Sequence, residues 1–552
     1  MQAIYDIAQI CFLKGIKHAV LSPGSRCAPL TISFARLKEI KKFIIPDERS
    51  AGFIGLGLSR MTQLPTVLIC TSGSAAYNYA PAVAEAYFQH VPLLILTADR
   101  PPEWIDQLDG QTIRQTDIYG KHVKASFTLP VDTSHPDAVW HTERIVNEAI
   151  NISEQFPKGP VHINIPLREP FYPENKIEFS TSLKPITIVP IENRLEEETK
   201  KKLWKELSNY KKILIVAGQS IKDLELTSIL SKLDYPVVTD IISNHSFEGS
   251  IKNHDLFLSS KNKSSDEALQ PELLITFGNS IISKSLKLFL RNNKTLSHWH
   301  IQPSGAVADT FQRLTKVIPI LPITFFAELL KEKSTNNDYK NTWQTTNTLL
   351  STKVSDFIHS ENRFSEFEVV SKVVALIPEN SILHLANSMP VRYANYIGLK
   401  NKNVEVIANR GTSGIDGVIS TAYGTALATD KLVTVITGDM TFLYDRNAFW
   451  NNYLPSNLRI IILNNHGGGI FRMIDGPTSQ PEGEEYFVTK QSLTAENSLK
   501  DVALEYLLTK DRITFEKALT SFFVNDGKSK VMEIEIDGVL SVEVLKKFKN
   551  HL

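Results

Sequence analysis

Two short runs that each open on three β-branched residues constrain this chain more than anything else in it: Val435–Ile436–Thr437–Gly438–Asp439–Met440 and Ile460–Ile461–Ile462–Leu463–Asn464–Asn465. Each has the length and composition of a strand buried on both faces, as in parallel sheets covered by helices. The first run delivers the Asp439 carboxylate just past a strand. The second brings the amide oxygens of Asn464 and Asn465 to a neighbouring strand end. Carboxylate, amide oxygen and a backbone carbonyl are hard ligands that Mg²⁺ accepts when a diphosphate fills its other positions. The C-terminal edge of an open parallel sheet is where such ligands sit. Taken singly, Gly-Asp is an ordinary loop and Asn-Asn an ordinary turn, so the rest of the chain must decide.

At 552 residues the chain is too long for one core. Strand-like runs alternate with helical periodicity throughout, which predicts an α/β fold of three doubly wound parallel-sheet domains. The expected division is an α/β domain over residues 1–170, a proline-rich linker over 171–195, a middle α/β domain over 196–335, a polar linker with some helix over 336–364, and a third α/β domain over 365–552. Ala75–Gln89 reads as one of the helices of the first domain. The middle domain has Gly218-Gln219-Ser220 after a strand but no G-x-G-x-x-G, and its strand ends lack a polar cluster like those of the third.

Sixty basic and sixty acidic residues cancel, which leaves no electrostatic footprint for nucleic acid. Cys11, Cys27 and Cys70 have no metal-site spacing and cannot all pair, which favours a reducing cytoplasm. The first residues include Asp6 and no basic residue before Lys14, unlike a secretory signal. No apolar run is long enough for membrane insertion.

Chemistry-bearing residues gather where strands end. Ile44–Ile45–Pro46–Asp47–Glu48 carries a glutamate to the start of a helix, where a carboxylate is favoured by the helix dipole and also available for acid–base work. Ser22-Pro23-Gly24-Ser25-Arg26 and Ala98-Asp99-Arg100 place guanidinium groups at two strand ends of the first domain, with Gln111 in the loop beyond. Asn387-Ser388-Met389-Pro390-Val391-Arg392 and Asn409-Arg410-Gly411 do the same in the third. Surface ion pairs would account for these arginines, and so would an anionic substrate held by forked hydrogen bonds. His466 is followed by Gly467-Gly468-Gly469, whose N–H groups can meet a diphosphate without side-chain obstruction.

In order along the chain, Ser-Pro-Gly-Ser-Arg (22–26), Asp-Glu-Arg-Ser-Ala (47–51), Ala-Asp-Arg-Pro-Pro-Glu (98–103), Asn-Ser-Met-Pro-Val-Arg (387–392), Asn-Arg-Gly-Thr-Ser-Gly-Ile-Asp-Gly (409–417) and Asn-His-Gly-Gly-Gly-Ile-Phe (465–471) resemble the 2-succinyl-5-enolpyruvyl-6-hydroxy-3-cyclohexene-1-carboxylate (SEPHCHC) synthase family. Those enzymes depend on thiamin diphosphate (ThDP) and act in menaquinone biosynthesis. The resemblance implies a carboligase that decarboxylates 2-oxoglutarate on ThDP and adds the resulting succinyl carbanion to isochorismate in a 1,4 sense, giving SEPHCHC and CO₂. It implies Glu48 as the cofactor-activating acid, hydrogen-bonded to the aminopyrimidine ring. Asp439, Asn465 and the Gly467 carbonyl become ligands of Mg²⁺ or Mn²⁺. Ser388, Gly414, Ile415, Gly438, Met440, Gly468, Ile470 and Phe471 become further cofactor contacts, with Ile415 wedging the cofactor into its bent shape. Ser25, Arg26, Arg100, Gln111, Lys284, Asn387, Ser388, Arg392 and Arg410 become substrate contacts. A homodimer, or a dimer of dimers, with active sites at the dimer interface is implied as well. Lys490-Gln491 stand where relatives tend to carry Pro-His, and Gln302 where they often carry aspartate.

Overall fold

A computed structural model describes residues 1–173, 175–259, 266–332, 337–400, 403–473 and 475–552. Its strands form three sheets, and all their mutual pairings are parallel. The first holds β1 (His18–Leu21), β2 (Lys41–Ile44), β3 (Thr66–Cys70), β4 (Leu93–Asp99), β5 (Ser126–Thr128) and β6 (Pro160–Pro166), in the order β2-β1-β3-β4-β6-β5. The second holds β7 (Ile213–Ala217), β8 (Val237–Thr239), β9 (Leu273–Phe277), β10 (Ser297–Ile301) and β11 (Leu314–Ile318), in the order β11-β10-β9-β7-β8. The third holds β12 (Ile382–Leu385), β13 (Glu405–Ile407), β14 (Val433–Gly438), β15 (Leu458–Asn464), β16 (Glu505–Thr509) and β17 (Lys530–Glu535), in the order β13-β12-β14-β15-β17-β16. The α/β class expected from sequence is thus observed. Central strands such as β3, β7 and β9 are buried at every residue, which is why they read as near-continuous apolar runs.

Three strands escape the sequence reading: β5, β11 and β16. Each lies at the edge of its sheet, and each is largely half-buried. An edge strand has one neighbour and a wetter surface, so it carries no run of buried β-branched residues to betray it. The helix expected over Ala75–Gln89 is two, Ser74–Asn78 and Ala80–Gln89. Pro81 has no N–H with which to continue the first, and sits in the first turn of the second, where that donor is not needed. The polar segment before the third domain is mostly one helix, Asn337–Ser360, while the expected boundary at 335/336 lies outside the described residues.

The first and third sheets meet through the helices Glu48–Thr62 and Val418–Leu427. A Cβ on Gly57 would stand 2.0 Å from the Thr421 carbonyl oxygen, and one on Gly424 would stand 2.0 Å from that of Ile54. Only glycine permits this approach. Phe53, Ile54, Ile419 and Tyr423 belong to one buried apolar cluster that spans both units. A second cluster joins the middle and third units, through residues such as Val238, Trp343, Phe367 and Tyr393. Among the described residues no helix is long and apolar enough to cross a membrane.

Candidate active site

The C-terminal ends of β12, β13, β14 and β15 adjoin one another and bring one set of expected residues together. β14 runs out at Gly438, and Asp439 opens the short helix Asp439–Tyr444. The Asp439 side chain is buried, which raises its pKa, while hydrogen bonds from Gln491 and from the backbone at Met440 and Gly467 pull it back down. Gln491 Nε2 donates to Asp439 Oδ2 over 2.7 Å. A buried carboxylate paired only with neutral donors is a group that a bound dication would stabilise.

The two asparagines after β15 have different jobs. Asn464 is fully committed: its Nδ2 donates to Leu493 O and Glu533 Oε1, and its Oδ1 accepts from the His466 amide. Asn465 gives its Nδ2 to Glu366 Oε1 at 2.5 Å, while its Oδ1 is buried with no hydrogen-bond partner. An orphaned amide oxygen beside a buried carboxylate is what a hard cation would complete. Gly467 next door has φ 155°, and a Cβ there would lie 2.8 Å from the carbonyl oxygen of Val488, so the loop can close only around glycine. The donor set therefore fits Mg²⁺ carried by a diphosphate.

On the other side of β14, Asn387 ties together the loops that follow β12 and β13. Its Nδ2 donates to the carbonyls of Asn409 and Gly414, each at 2.7 Å, and its Oδ1 accepts from Arg410 Nη1 at 2.8 Å. Ser388, at φ 73°, starts the helix Met389–Ile397, and its carbonyl accepts from Arg392 Nη1. Burial lowers the Arg410 pKa, and the charge of Arg392 lowers it further, so the two cations are electrostatic neighbours. Arg410 Nε is buried with no hydrogen-bond partner. Ile415 stands 37% exposed, on the loop that Asn387 holds. Gly468, Ile470 and Phe471 follow on the glycine loop, where Phe471 meets Phe487 with ring centroids 6.1 Å apart.

A second set gathers at the ends of β1 to β4. Asp47 caps the helix Glu48–Thr62 by accepting from the Arg49 and Ser50 amides, and this fixes Glu48 in the first turn. The half-buried Glu48 carboxylate accepts from Asn78 Nδ2 at 3.4 Å. Ser25 is exposed, whereas Arg26 is buried, with Nη1 on the Leu167 carbonyl and its guanidinium carbon 4.7 Å from the Phe171 ring centroid. Arg100 is held by the Gly110 carbonyl at 2.7 Å and by Asp109 at 3.4 Å. Gln111, at φ 57°, is exposed beside Gly73. Lys284 is exposed at the start of the helix Lys284–Asn292. It is Lys287, one turn on, that is half-buried and feels Arg410: burial lowers its pKa first, and Arg410 next.

Within the chain the two sets touch at their flanks. Asp47 Oδ2 accepts from Asn447 Nδ2, and Arg49 donates to the Tyr444 carbonyl. Among the described residues, no hydrogen bond or ion pair joins Glu48 itself to Asp439 or Asn465.

Comparison with known proteins gives the site its context. Residues 1–118 match the family model "Thiamine pyrophosphate enzyme, N-terminal TPP binding domain", and residues 179–385 match "Middle domain of thiamine pyrophosphate". The chain is 52% identical over 550 residues to a 2-succinyl-5-enolpyruvyl-6-hydroxy-3-cyclohexene-1-carboxylate synthase of Cytophaga hutchinsonii, covering 100% of this chain and 98% of that one. It is 38% identical to the synthase of that name from Flavobacterium johnsoniae, covering 99% and 98%. With the one from Desulfotalea psychrophila it shares 37%, covering 88% and 89%. This chain belongs to the SEPHCHC synthase family. It is a ThDP-dependent enzyme; thiamine pyrophosphate is the same molecule under another name.

Three residues that bear on this family's site were missed by sequence reasoning. Glu85, 1% exposed, accepts from the Gly411 and Thr412 amides and from the Thr412 hydroxyl, and so pins the Arg410 loop to the first domain. A lone glutamate within Ala82–Val83–Ala84–Glu85–Ala86 was its signal. Gln115 is buried and bonds the Gly73 amide, the Ala98 carbonyl and Asn164. Glu366 is wholly buried, and burial pushes its pKa up to about 7 against the opposing hydrogen bond from Asn465. Neither Gln115 nor Glu366 stands out in the sequence, since each sits in an ordinary polar context.

Proposed function

We propose that this enzyme catalyses the menaquinone-pathway carboligation, in which 2-oxoglutarate loses CO₂ and its remaining four-carbon unit adds to isochorismate in a 1,4 sense to give SEPHCHC. The observation that carries this reading is the Arg392–Arg410 pair beside the Asp439–Asn465 ligand pair. Two neighbouring guanidinium groups, one with an unpaired buried Nε, suit a substrate with two carboxylates better than one with a single carboxylate. Both proposed substrates are dianions.

ThDP, when bound, supplies the electron sink for decarboxylation and carbon–carbon bond formation. The chain's own residues do the rest. Asp439, Asn465 Oδ1 and the Gly467 carbonyl would hold Mg²⁺, or Mn²⁺, for the diphosphate. Gly468, Ile470, Phe471, Gly438, Met440, Ser388, Gly414 and Ile415 would line the cofactor. Glu48, held in the first turn of its helix, would hold or give a proton at a pyrimidine ring nitrogen of the cofactor. Arg392 and Arg410, with Ser25, Arg26, Arg100, Gln111 and Lys284, bind and orient substrate carboxylates and hydroxyls. Asn387 keeps Arg410 and the Gly414 loop in register.

The two residue sets lie at the edges of different sheets, and in this reading the active site is shared across a two-fold homodimer. The test is an assay of CO₂ release from 2-oxoglutarate, with ThDP and Mg²⁺, in the presence and absence of isochorismate. Release coupled to appearance of the adduct is expected. Equal use of pyruvate and 2-oxoglutarate would overturn the assignment.

A further inference from the structure

The helix Glu366–Leu376 begins with a carboxyl group that folding alone does not explain. Glu366 is 2% exposed, its backbone amide donates to Ser541 Oγ, and its Oε1 receives Asn465 Nδ2. Arg472, whose charge reaches Glu366, is already forked onto Glu484 by two bonds of 2.8 Å. A carboxylate buried without a cationic partner costs stability, so its retention calls for a reason.

The reason lies in the amide it touches. An asparagine side chain has a donor end and an acceptor end of nearly the same shape, and packing alone does not tell them apart. When ionised, Glu366 accepts and does not donate. Facing Glu366, the Asn465 amide must present Nδ2, because the flipped amide would set oxygen against oxygen. Its Oδ1 is thereby turned away, and it is this atom that is buried without a partner. We propose that Glu366 is a positioning residue that fixes the Asn465 amide with its oxygen toward the divalent-cation site. This rests on the reading of Asp439 and Asn465 as metal ligands.

Binding of Mn²⁺ to the ThDP-supplemented protein, followed by the electron paramagnetic resonance of the free ion in mildly alkaline buffer, tests it without reference to turnover. Glu366→Gln keeps size and shape but offers Asn465 either a donor or an acceptor, so the amide is no longer oriented. Mn²⁺ affinity is expected to fall about tenfold or more, as for other groups that orient a metal ligand, with little change in the melting temperature of the apoprotein. The decisive variant is Glu366→Gln combined with Asn465→Asp. An aspartate has two equivalent oxygens and needs no orienting, so the double variant should recover Mn²⁺ affinity. If Asn465→Ala leaves Mn²⁺ binding untouched, the metal assignment itself falls and takes this proposal with it. If Asn465→Ala weakens binding but Glu366→Gln does not, the positioning role is wrong while the metal site stands. Failure of the double variant to recover affinity, whether or not Glu366→Gln folds alone, also overturns it.

Discussion

The first and third sheets share one topology: counted from its own first strand, each runs 2-1-3-4-6-5. Their C-terminal edges nevertheless carry different chemistry. At the first edge stands a helix-capped carboxyl, Glu48, with Ser25, Arg26, Arg100 and Gln111 around it. The third edge has a buried carboxylate, an orphaned amide oxygen, a glycine loop and two adjacent arginines. The backbone of such a sheet supplies only a rim of loops and helix starts. What the rim does is set by the few residues placed on it. On this account the first edge activates the cofactor, and the third edge binds it along with the 2-oxoglutarate carboxylates.

Four substitutions would break or sharpen that division. The largest effect is expected from Asp439→Ala, which removes the one carboxylate among the proposed protein ligands of the cation and should abolish Mg²⁺-dependent ThDP binding. Titration by quenching of protein fluorescence reads this directly, and an unchanged affinity would remove the metal from the third edge. Next comes Glu48→Gln at the first edge. It should bind ThDP normally yet lose roughly 10²–10⁴-fold in turnover, the usual worth of a positioned acid–base group. Were binding lost instead, the two edges would not divide the labour as described.

Arg410→Ala should act on substrate rather than cofactor. Loss of a charge-assisted pair costs about 2–4 kcal/mol when its partner stays desolvated, and steady-state kinetics should show it in kcat/KM for 2-oxoglutarate with ThDP affinity preserved. The smallest effect concerns the seam between the edges. Asp445 is fully buried, and burial raises its pKa to about 7 against the hydrogen bonds from Ser420. A folded-state value above the unfolded one means the native state holds the proton longer. Its contribution to stability is full below about pH 4, the unfolded value, and is lost as pH rises through about 7. Asp445→Asn should therefore flatten the fall in melting temperature over that interval. An unaltered pH profile would show that Asp445 is not the group responsible.

How much of this was legible in the sequence follows from burial and context. Central strands announced themselves because both faces are buried, whereas β5, β11 and β16 did not, being edge strands with wet faces. The placement of Asp439, Asn465 and the glycines after them at the ends of β14 and β15 was legible because strand, polar residue and loop are contiguous in the chain. The partners that hold them are not. Glu366 meets Asn465, and Glu85 meets Gly411 and Thr412, across long sequence separations that no local pattern encodes. Gln491, noted only as a departure from the usual Pro-His, turns out to donate to Asp439. The lysine beside Arg410 is Lys287, because the first turn of its helix leaves Lys284 at the surface.

The division of labour across a dimer is tested most directly by mixing two inactive variants, Glu48→Ala and Asp439→Ala, and letting their subunits exchange. If each site takes Glu48 from one chain and Asp439 from its partner, every mixed dimer has one doubly damaged site and one intact site. Random exchange makes half the dimers mixed, so activity should recover to about a quarter of wild type. If both residues serve a site within one chain, every site keeps a defect. Persistent inactivity after demonstrated exchange would contradict the shared site.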